Sequence, residues 1–230
     1  MPNKVKYRVK VPNNVRKALM LDKQNNNTLW ADAIMKEMTA LNKAKCFEYF
    51  PPHHQFGKDY QYTPLRIIFE VKKEDLCRKA RLVAGGHVVD SSMYESYSSV
   101  VQSRTLRMLQ TITVNENMRV MTSDVGNAFI QTFTKEKIFS RCGKEFGKHE
   151  GCLIQIRKAQ YGLATSARQW SLALGDVLRD TGFTPSRVDP DLWIRLDGIN
   201  NCYDYIATHV DDLIIVSKNS EKYIDSMKKH

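Results

Sequence analysis

The sequence has few cysteines, no long apolar run and no low-complexity tract beyond three asparagines. Its five cysteines are scattered over 230 residues, and no two have C-x-x-C spacing. This predicts neither a disulfide framework nor a zinc site and fits a reducing, intracellular setting. No apolar run approaches the roughly 20 residues of a membrane-spanning helix, and the basic N-terminus MPNKVKYRVKVP lacks the apolar segment of a secretory signal. We therefore expect no membrane partner.

Acidic residues are fewer than basic residues in this sequence. The 35 lysines and arginines outnumber the 25 aspartates and glutamates, which leaves a formal net charge of +10. Such an excess favours a polyanionic partner, most often nucleic acid. A basic protein without that partner is the alternative that charge alone leaves open.

The arrangement of helix and strand patterns predicts an α+β fold, because strands and helices mix without strict alternation. Residues 1–27 form a basic, then Asn-rich segment that we interpret as an extension and loop, whereas residues 28–230 form the folded region. Apolar residues at helical spacing predict helices after Thr28, from Ser103 and over 166–180.

Strand patterns occupy the rest of the folded region. The sequence predicts a hairpin of 65–71 with 82–84 around a charged turn, a strand over 120–125 followed by a helix from Asn127, a hairpin over 203–217, and a short charged helix at 221–230.

Three aspartates stand where these strands end. Asp124 closes a predicted strand in TSDVGNAFIQ, and the pair Asp211 and Asp212 forms the predicted hairpin tip in YDYIATHVDDLIIVS. Helix capping and turn formation are the ordinary roles of such residues. If the strands were neighbours, however, the three carboxylates would repel each other and require a cation such as Mg²⁺. Two such ions support phosphoryl transfer in polymerases and nucleases.

Eight sequence blocks in a fixed order resemble one known family. Together they resemble the reverse transcriptase of copia-type (Pseudoviridae) LTR retrotransposons through almost the whole chain. The blocks are TLWADAIMKEM, RKARLVAGGHV, YSSVVQSRTLRML, SDVGNAFI, KEKIFSRCGKEFG, RKAQYGL, GFTPSRVDPDLW and HVDDLIIVS.

The resemblance implies a right-hand polymerase with fingers and a ferredoxin-like palm, in a chain that ends before the thumb and RNase H. It implies an RNA-directed DNA polymerase that uses dNTPs and an RNA or DNA template–primer. It further implies a Pol polyprotein with integrase and RNase H, located in a cytoplasmic virus-like particle if the element is intact.

The resemblance also assigns catalytic roles. Asp124, Asp211 and Asp212 match the catalytic triad, and with the backbone oxygen of Val125 they would hold two Mg²⁺ ions, for which Mn²⁺ could substitute. Asp124 and Asp211 would bind both ions, and Asp212 would act mainly on local field and geometry. Phe129 matches an aromatic gate beneath the nucleotide sugar, with an ordinary core phenylalanine as the alternative.

Further positions match the binding of nucleotide and nucleic acid. Lys73 and Arg81 would hold the triphosphate, since charge-assisted contacts to phosphate are strong; a solvated charged turn is the alternative. The resemblance also implies contacts to nucleic acid from His209, Lys158 and Arg168.

Three positions depart from the family pattern. His209 replaces a tyrosine, Ala164 stands where a lysine is expected, and Thr165 stands in place of glutamine or serine. These departures leave open a catalytically decayed retrotransposon fragment that at most binds nucleic acid. A metal-dependent nuclease would use similar carboxylates but gives no reason for the fingers block or the gate.

Overall fold

The computed structural model describes residues 4–198, 201–219 and Tyr223. Within those ranges, no helix is both long and apolar enough to cross a membrane. The helices are α1 (Val15–Asn25), α2 (Leu29–Lys43), α3 (Ser103–Asn115) and α4 (Ser166–Asp180). The strands are β1 (Lys4–Lys6), β2 (Val9–Val11), β3 (Phe47–Phe50), β4 (Gln61–Tyr62), β5 (Leu65–Val71), β6 (Arg78–Ala84), β7 (Arg119–Asp124), β8 (Ile138–Arg141), β9 (Leu153–Ile156), β10 (Thr184–Pro185), β11 (Leu192–Asp197), β12 (Cys202–His209) and β13 (Asp212–Ser217).

The chain forms two compact units, and its mixture of helices and antiparallel strands confirms the α+β class. The first unit contains residues up to 96 and residues 129–166, and the second contains residues 97–128 and those from 167 onward. Each unit therefore combines two separate stretches of sequence.

The first unit packs helices and small sheets around one apolar core. β3, β9, β8 and β4 form a four-stranded sheet in that order, and β5 pairs with β6 in a hairpin. The helix predicted after Thr28 is α2, which buries Trp30, Ile34, Met38 and Leu41. The predicted hairpin is also confirmed, since Leu65 pairs with Ala84 and Val71 with Arg78, although its second strand begins at Arg78 and not at residue 82.

The expectation of a loop over residues 1–27 is wrong for the described part of that segment, which forms β1, β2 and α1. Ala18 and Leu21 of α1 are buried in the core. The asparagine run ends this helix, because Asn26 adopts a left-handed conformation with φ of 52°.

Asp22 links α1 to α2. Its carboxylate is 4% exposed and accepts hydrogen bonds from the backbone N–H groups of Trp30 and Ala31, at 3.1 and 2.8 Å. The hydroxyl of Thr28 donates instead to the carboxylate of Asp32, at 2.8 Å. Asp22 therefore satisfies donors of the first turn of α2 that would otherwise be buried without an acceptor.

The second unit is built on a five-stranded antiparallel sheet with the order β10, β11, β12, β13, β7. Leu109 of α3 packs with Leu192, Ala207 and Val216 on one face of this sheet. On the opposite face Trp193 of β11 contacts α4, where the guanidinium of Arg179 lies 5.3 Å from the indole centroid. Helices therefore cover both faces.

Of two further predicted helices, one is wrong and the other lies almost entirely outside the described residues. The helix predicted from Asn127 is wrong: Asn127 has φ of 56°, which a right-handed helix cannot include, and Phe129–Gln131 forms a single 3₁₀ turn. Apart from Tyr223, the charged helix predicted at 221–230 lies outside the described residues.

We predict that Asp22→Ala lowers the free energy of unfolding by about 1–3 kcal/mol, because it leaves buried N–H groups of α2 without an acceptor. Denaturant titration measures the effect. Asp32→Ala, which removes an exposed carboxylate from the same helix, is the control and should change the free energy by no more than about 0.5 kcal/mol. Equal losses in the two variants would contradict the capping role.

Candidate active site

The three predicted carboxylates lie where β7 and β13 meet. Asp124, the last residue of β7, is the register partner of Asp212, the first residue of β13. Directly opposite residues of an antiparallel pair point to the same face, so these two carboxylates share one side of the sheet. The N–H of Val125 donates to the backbone oxygen of Asp211 at 2.8 Å, which ties the end of β7 to the turn.

The turn itself differs from the prediction that Asp211 and Asp212 form the tip together. His209 and Asp212 are paired, so the two-residue turn consists of Val210 and Asp211, and Asp212 belongs to the strand. Val210 adopts φ of 57°, a conformation that tight hairpin turns require. His209, Asp212 and Asp124 consequently form a row across three neighbouring strands.

The donor chemistry of this site suits a hard cation, because carboxylate oxygens are preferred ligands of Mg²⁺. Within the described part of the chain, however, no three His, Cys, Asp or Glu residues are arranged so that they could hold an ion by themselves. Mg²⁺ is commonly bound by one or two carboxylates plus substrate phosphates. The aspartates are therefore chemically suited to such a cation, although the described residues do not form a complete cation site.

A buried polar cluster supports the neighbouring end of β12. Asp189, 1% exposed, accepts hydrogen bonds from the N–H of Gln102 at 3.0 Å and from the hydroxyl of Thr105 at 2.5 Å, and so caps α3. The N–H of Thr208 donates to the backbone oxygen of Asp191 at 2.9 Å. The DPDLW block thus connects α3 to the strand that leads into the turn.

The ionisation of Asp189 follows from these contacts. Burial raises the pKa of its carboxyl, but the hydrogen bonds from Thr105, Gln102 and Asp191 and the charge of Arg104 lower it. The net effect is a pKa below the ordinary value of 3.8.

In the first unit, an aromatic ring connects two predicted nucleotide-binding residues. The ring centroids of Phe129 and Tyr161 lie 4.9 Å apart, and the guanidinium of Arg81 lies 4.7 Å from the centroid of Tyr161. Phe129 is half-buried and Arg81 is partly exposed. Tyr161 therefore brings the candidate gate and the candidate phosphate ligand into one cluster.

The lysine beside Arg81 on this strand is Lys79. Residues 79 and 81 are two positions apart on β6, so their side chains lie on the same face of the strand. Both line a cavity of about 230 Å³ with Tyr161. Burial lowers the pKa of Lys79, and the positive charges of Arg81 and Lys72 lower it further. Lys73 lies exposed in the hairpin turn, outside this face.

Two glycines explain how Tyr161 reaches β6. Gly162 has φ of 94°, and a Cβ there would lie 2.1 Å from the backbone oxygen of Ala84. A Cβ on Gly86 would lie 2.1 Å from the backbone oxygen of Gly162. The AGGHV and YGL blocks consequently contact each other backbone to backbone, and larger residues cannot replace these glycines without displacement.

The three candidate nucleic-acid contacts lie in different surroundings. His209 is exposed at the end of β12. The ammonium of Lys158 lies 3.8 Å from the ring centroid of Phe133, which is 62% exposed. Arg168 is half-buried on α4 and lines a cavity with Trp170.

The departures at positions 164 and 165 directly precede α4 in the sequence. Ala164 is exposed, whereas Thr165 is buried and contacts Glu136. Burial raises the pKa of the Glu136 carboxyl, and the neighbouring Thr165 opposes this increase.

Sequence reasoning missed Tyr161, Lys79 and the contact that Trp170 makes with the turn. Tyr161 and Lys79 both lie in blocks that carry the family resemblance, so their position was a usable signal. Trp170 was expected only as an inward-facing residue of a helix, and no local pattern indicates that its indole N–H reaches Val210.

Comparisons with known proteins agree with the family resemblance that the eight sequence blocks carry. The model of the family described as reverse transcriptase (RNA-dependent DNA polymerase) matches residues 54–230. The chain is 25% identical over 197 residues to the retrovirus-related Pol polyprotein from transposon TNT 1-94 of Nicotiana tabacum, covering 81% of this chain and 14% of that protein. It is 31% identical over 146 residues to the Pol polyprotein from transposon RE2 of Arabidopsis thaliana, covering 62% and 10%.

A further relative and one solved structure extend this set. The chain is 25% identical to the Ty1-GR1 Gag-Pol polyprotein of Saccharomyces cerevisiae, over 86% of this chain and 11% of that protein. A foamy viral protease-reverse transcriptase in complex with double-stranded DNA has a TM-score of 0.47 and 16% identity, covering 86% of this chain and 28% of that one. That structural likeness is too slight to carry an argument. The chain thus spans 10–14% of the length of these curated relatives.

We predict that Asp189→Asn destabilises the second unit by about 1–3 kcal/mol near neutral pH, because hydrogen bonds to an ionised carboxylate are lost. Because folding lowers the pKa of the Asp189 carboxyl, its ionised form stabilises the folded state at pH values above the pKa of the unfolded chain. This stabilisation is lost as the pH falls through the pKa of the folded state. The difference between wild type and variant should therefore shrink below about pH 4. Denaturant titration across pH measures it, with the exposed Asp180→Asn as control; a pH-independent difference would contradict the assignment.

Proposed function

Because the chain belongs to the copia-type branch of the reverse transcriptase (RNA-dependent DNA polymerase) family, we propose that it extends a primer with dNTPs on an RNA or DNA template. One observation carries the proposal: β13 pairs with β7 so that Asp212 lies opposite Asp124, with Asp211 in the adjoining turn. The net charge of +10 suits a nucleic-acid substrate. Integrase and RNase H of a longer Pol polyprotein are proposed partners.

In this proposal the second unit is the palm and the first is the fingers. The five-stranded sheet with a helix on each face supports the palm assignment, because it holds the ends of β7 and β13 rigidly. Rigid strands suit a catalytic group better than a free loop, since catalysis requires a fixed geometry.

The proposed chemistry requires aspartate carboxylates that are held in a fixed position. Asp124 and Asp211 are the proposed ligands of two Mg²⁺ ions, for which Mn²⁺ can substitute, with the backbone oxygen of Val125 as a neutral ligand. The chemistry that these residues would obtain from bound ions is activation of the attacking 3′ oxygen and neutralisation of charge on the leaving pyrophosphate. Asp212 adds negative field from the position opposite Asp124, and His209 in the same row contacts the primer end.

The cluster around Tyr161 binds the nucleotide. Arg81 and Lys79 present positive charge to the triphosphate from one face of β6, and Lys73 adds charge from the turn. The ring of Phe129 excludes a ribose 2′-hydroxyl. Tyr161 packs against Phe129 and beneath Arg81, which holds both in position.

Lys158 and Arg168 are proposed contacts to the nucleic-acid backbone. Lys158 covers one face of the exposed Phe133 ring, and an aromatic ring beside a cation suits an unpaired base with its phosphate.

We predict that Asp211→Asn lowers primer extension on poly(rA)–oligo(dT) by at least about 100-fold with Mg²⁺ or Mn²⁺, because it removes a charged ligand while preserving side-chain shape. Affinity for the template–primer, measured without metal, should change by less than about threefold. The exposed Asp176→Asn on α4 is the matched control. Activity that survives Asp211→Asn would mean that the proposed site is wrong.

The decayed-copy alternative makes the opposite prediction in the same assay. It expects no extension by the wild-type chain and salt-sensitive nucleic-acid binding that is indifferent to divalent ions and to changes at Asp124. The departures at 164, 165 and 209 favour this alternative, whereas the three aspartates and Phe129 favour an active enzyme.

We predict that Phe129→Ala relaxes the discrimination between dTTP and UTP by about 10- to 100-fold in kcat/KM, because the ring no longer clashes with the 2′-hydroxyl. Single-nucleotide extension measures both substrates. Phe139→Ala is the control, since it truncates another half-buried ring of the same unit, stacked 4.5 Å from Phe56. If both variants lose stability without a change in the dTTP-to-UTP ratio, Phe129 is an ordinary packing residue.

A further inference from the structure

The turn that carries Asp211 has a strained backbone. Val210 adopts φ of 57°. Positive φ is a genuine outlier for a β-branched residue, because its branched side chain crowds the backbone. Such a conformation persists only when the surrounding structure holds it.

Two hydrogen bonds from outside the hairpin hold this turn. The N–H of Val125 donates to the backbone oxygen of Asp211 at 2.8 Å. The indole N–H of Trp170 donates to the backbone oxygen of Val210 at 2.6 Å. Both carbonyl groups of the two-residue turn are therefore bound, one by β7 and the other by α4.

Trp170 is itself firmly placed. Its side chain is 6% exposed on α4, one turn before the buried Leu174. Shifting the indole would disturb the packing of this helix on the sheet, so the donor is preorganised.

A cavity lies beside the turn, so the turn has room to move if the hydrogen bond from the Trp170 indole is lost. A cavity of about 150 Å³ is lined by residues that include Trp170, Val210 and Thr208. Without the indole bond, the Val210–Asp211 peptide loses its restraint from α4, and the cavity leaves room for its carbonyl group to reorient. Asp211 and Asp212 would then move relative to Asp124.

We propose that Trp170 is a positioning residue, whose indole N–H holds the strained Val210 peptide and thereby keeps Asp211 and Asp212 aligned with Asp124. The inference rests on the proposed function for its effect on catalysis. It is distinct from a purely structural role, in which the indole fills the core and happens to meet a carbonyl.

The test uses the full chain and four variants. Trp170→Phe keeps an aromatic ring but removes the N–H. Trp193→Phe is the matched control, because Trp193 is the second buried indole of this unit and lines the same cavity. Val210→Gly permits positive φ without strain, since glycine lacks a Cβ. Trp170→Phe/Val210→Gly completes a double-mutant cycle.

Steady-state single-nucleotide extension should separate positioning from binding. We expect Trp170→Phe to lower kcat about tenfold, while KM for dTTP changes by less than about twofold, as a lost buried hydrogen bond implies. In the Val210→Gly background the same change should lower kcat by less than about threefold, because less strain remains to be held. Trp193→Phe should leave kcat within about twofold.

An activity-independent readout separates this inference from the proposed function. In two-dimensional NMR, the backbone amide signals of Val125, Asp211 and Asp212 should shift or broaden in Trp170→Phe but not in Trp193→Phe. If the amides respond in this way while no variant, including wild type, extends a primer, the anchor is supported and the proposed function fails.

Two results would overturn the inference. One is an unchanged set of turn amides in Trp170→Phe. The other is a loss of kcat that is the same in both tryptophan variants and follows their melting temperatures, with no coupling to Val210→Gly.

Discussion

The antiparallel pairing of β13 with β7 is the interaction on which the candidate site depends. Its register sets Asp212 opposite Asp124, although the two strand ends lie 88 positions apart in the sequence. Like charges directly opposite each other destabilise a sheet. The pairing therefore has to be maintained by apolar partners farther along the same strands, among which Ile215 and Val216 are at most 1% exposed.

Much of the second unit serves to hold this charged edge. Asp189 caps α3, Asp191 fixes Thr208 near the end of β12, and Trp170 on α4 reaches the turn. These contacts join both covering helices to one hairpin. The sequence blocks that accompany the aspartates accordingly contain residues that support the hairpin.

Local patterns predicted most helices and strands, because the apolar residues spaced along one face of each element are the residues that the fold buries. The hairpin of β5 and β6, α2 and α4 all follow such spacing. Two interpretations were wrong where single backbone conformations decide: Asn127 turns left-handed where a helix was expected, and Val210 shifts the turn by one residue. The loop interpretation of residues 1–27 was wrong because the described part of that segment forms β1, β2 and α1, with Ala18 and Leu21 in the core.

By itself the sequence determined the α+β class, identified the family through the resemblance of its blocks, and indicated three aspartates as candidate site residues, because these features reside in residue type and order. Only the tertiary structure decided which of them face each other, that Lys79 and Tyr161 join Arg81, and that Trp170 holds the turn. The physical reason is that register, backbone dihedral angles and distant side-chain contacts arise when strands and helices pack. Local sequence constrains these features only weakly.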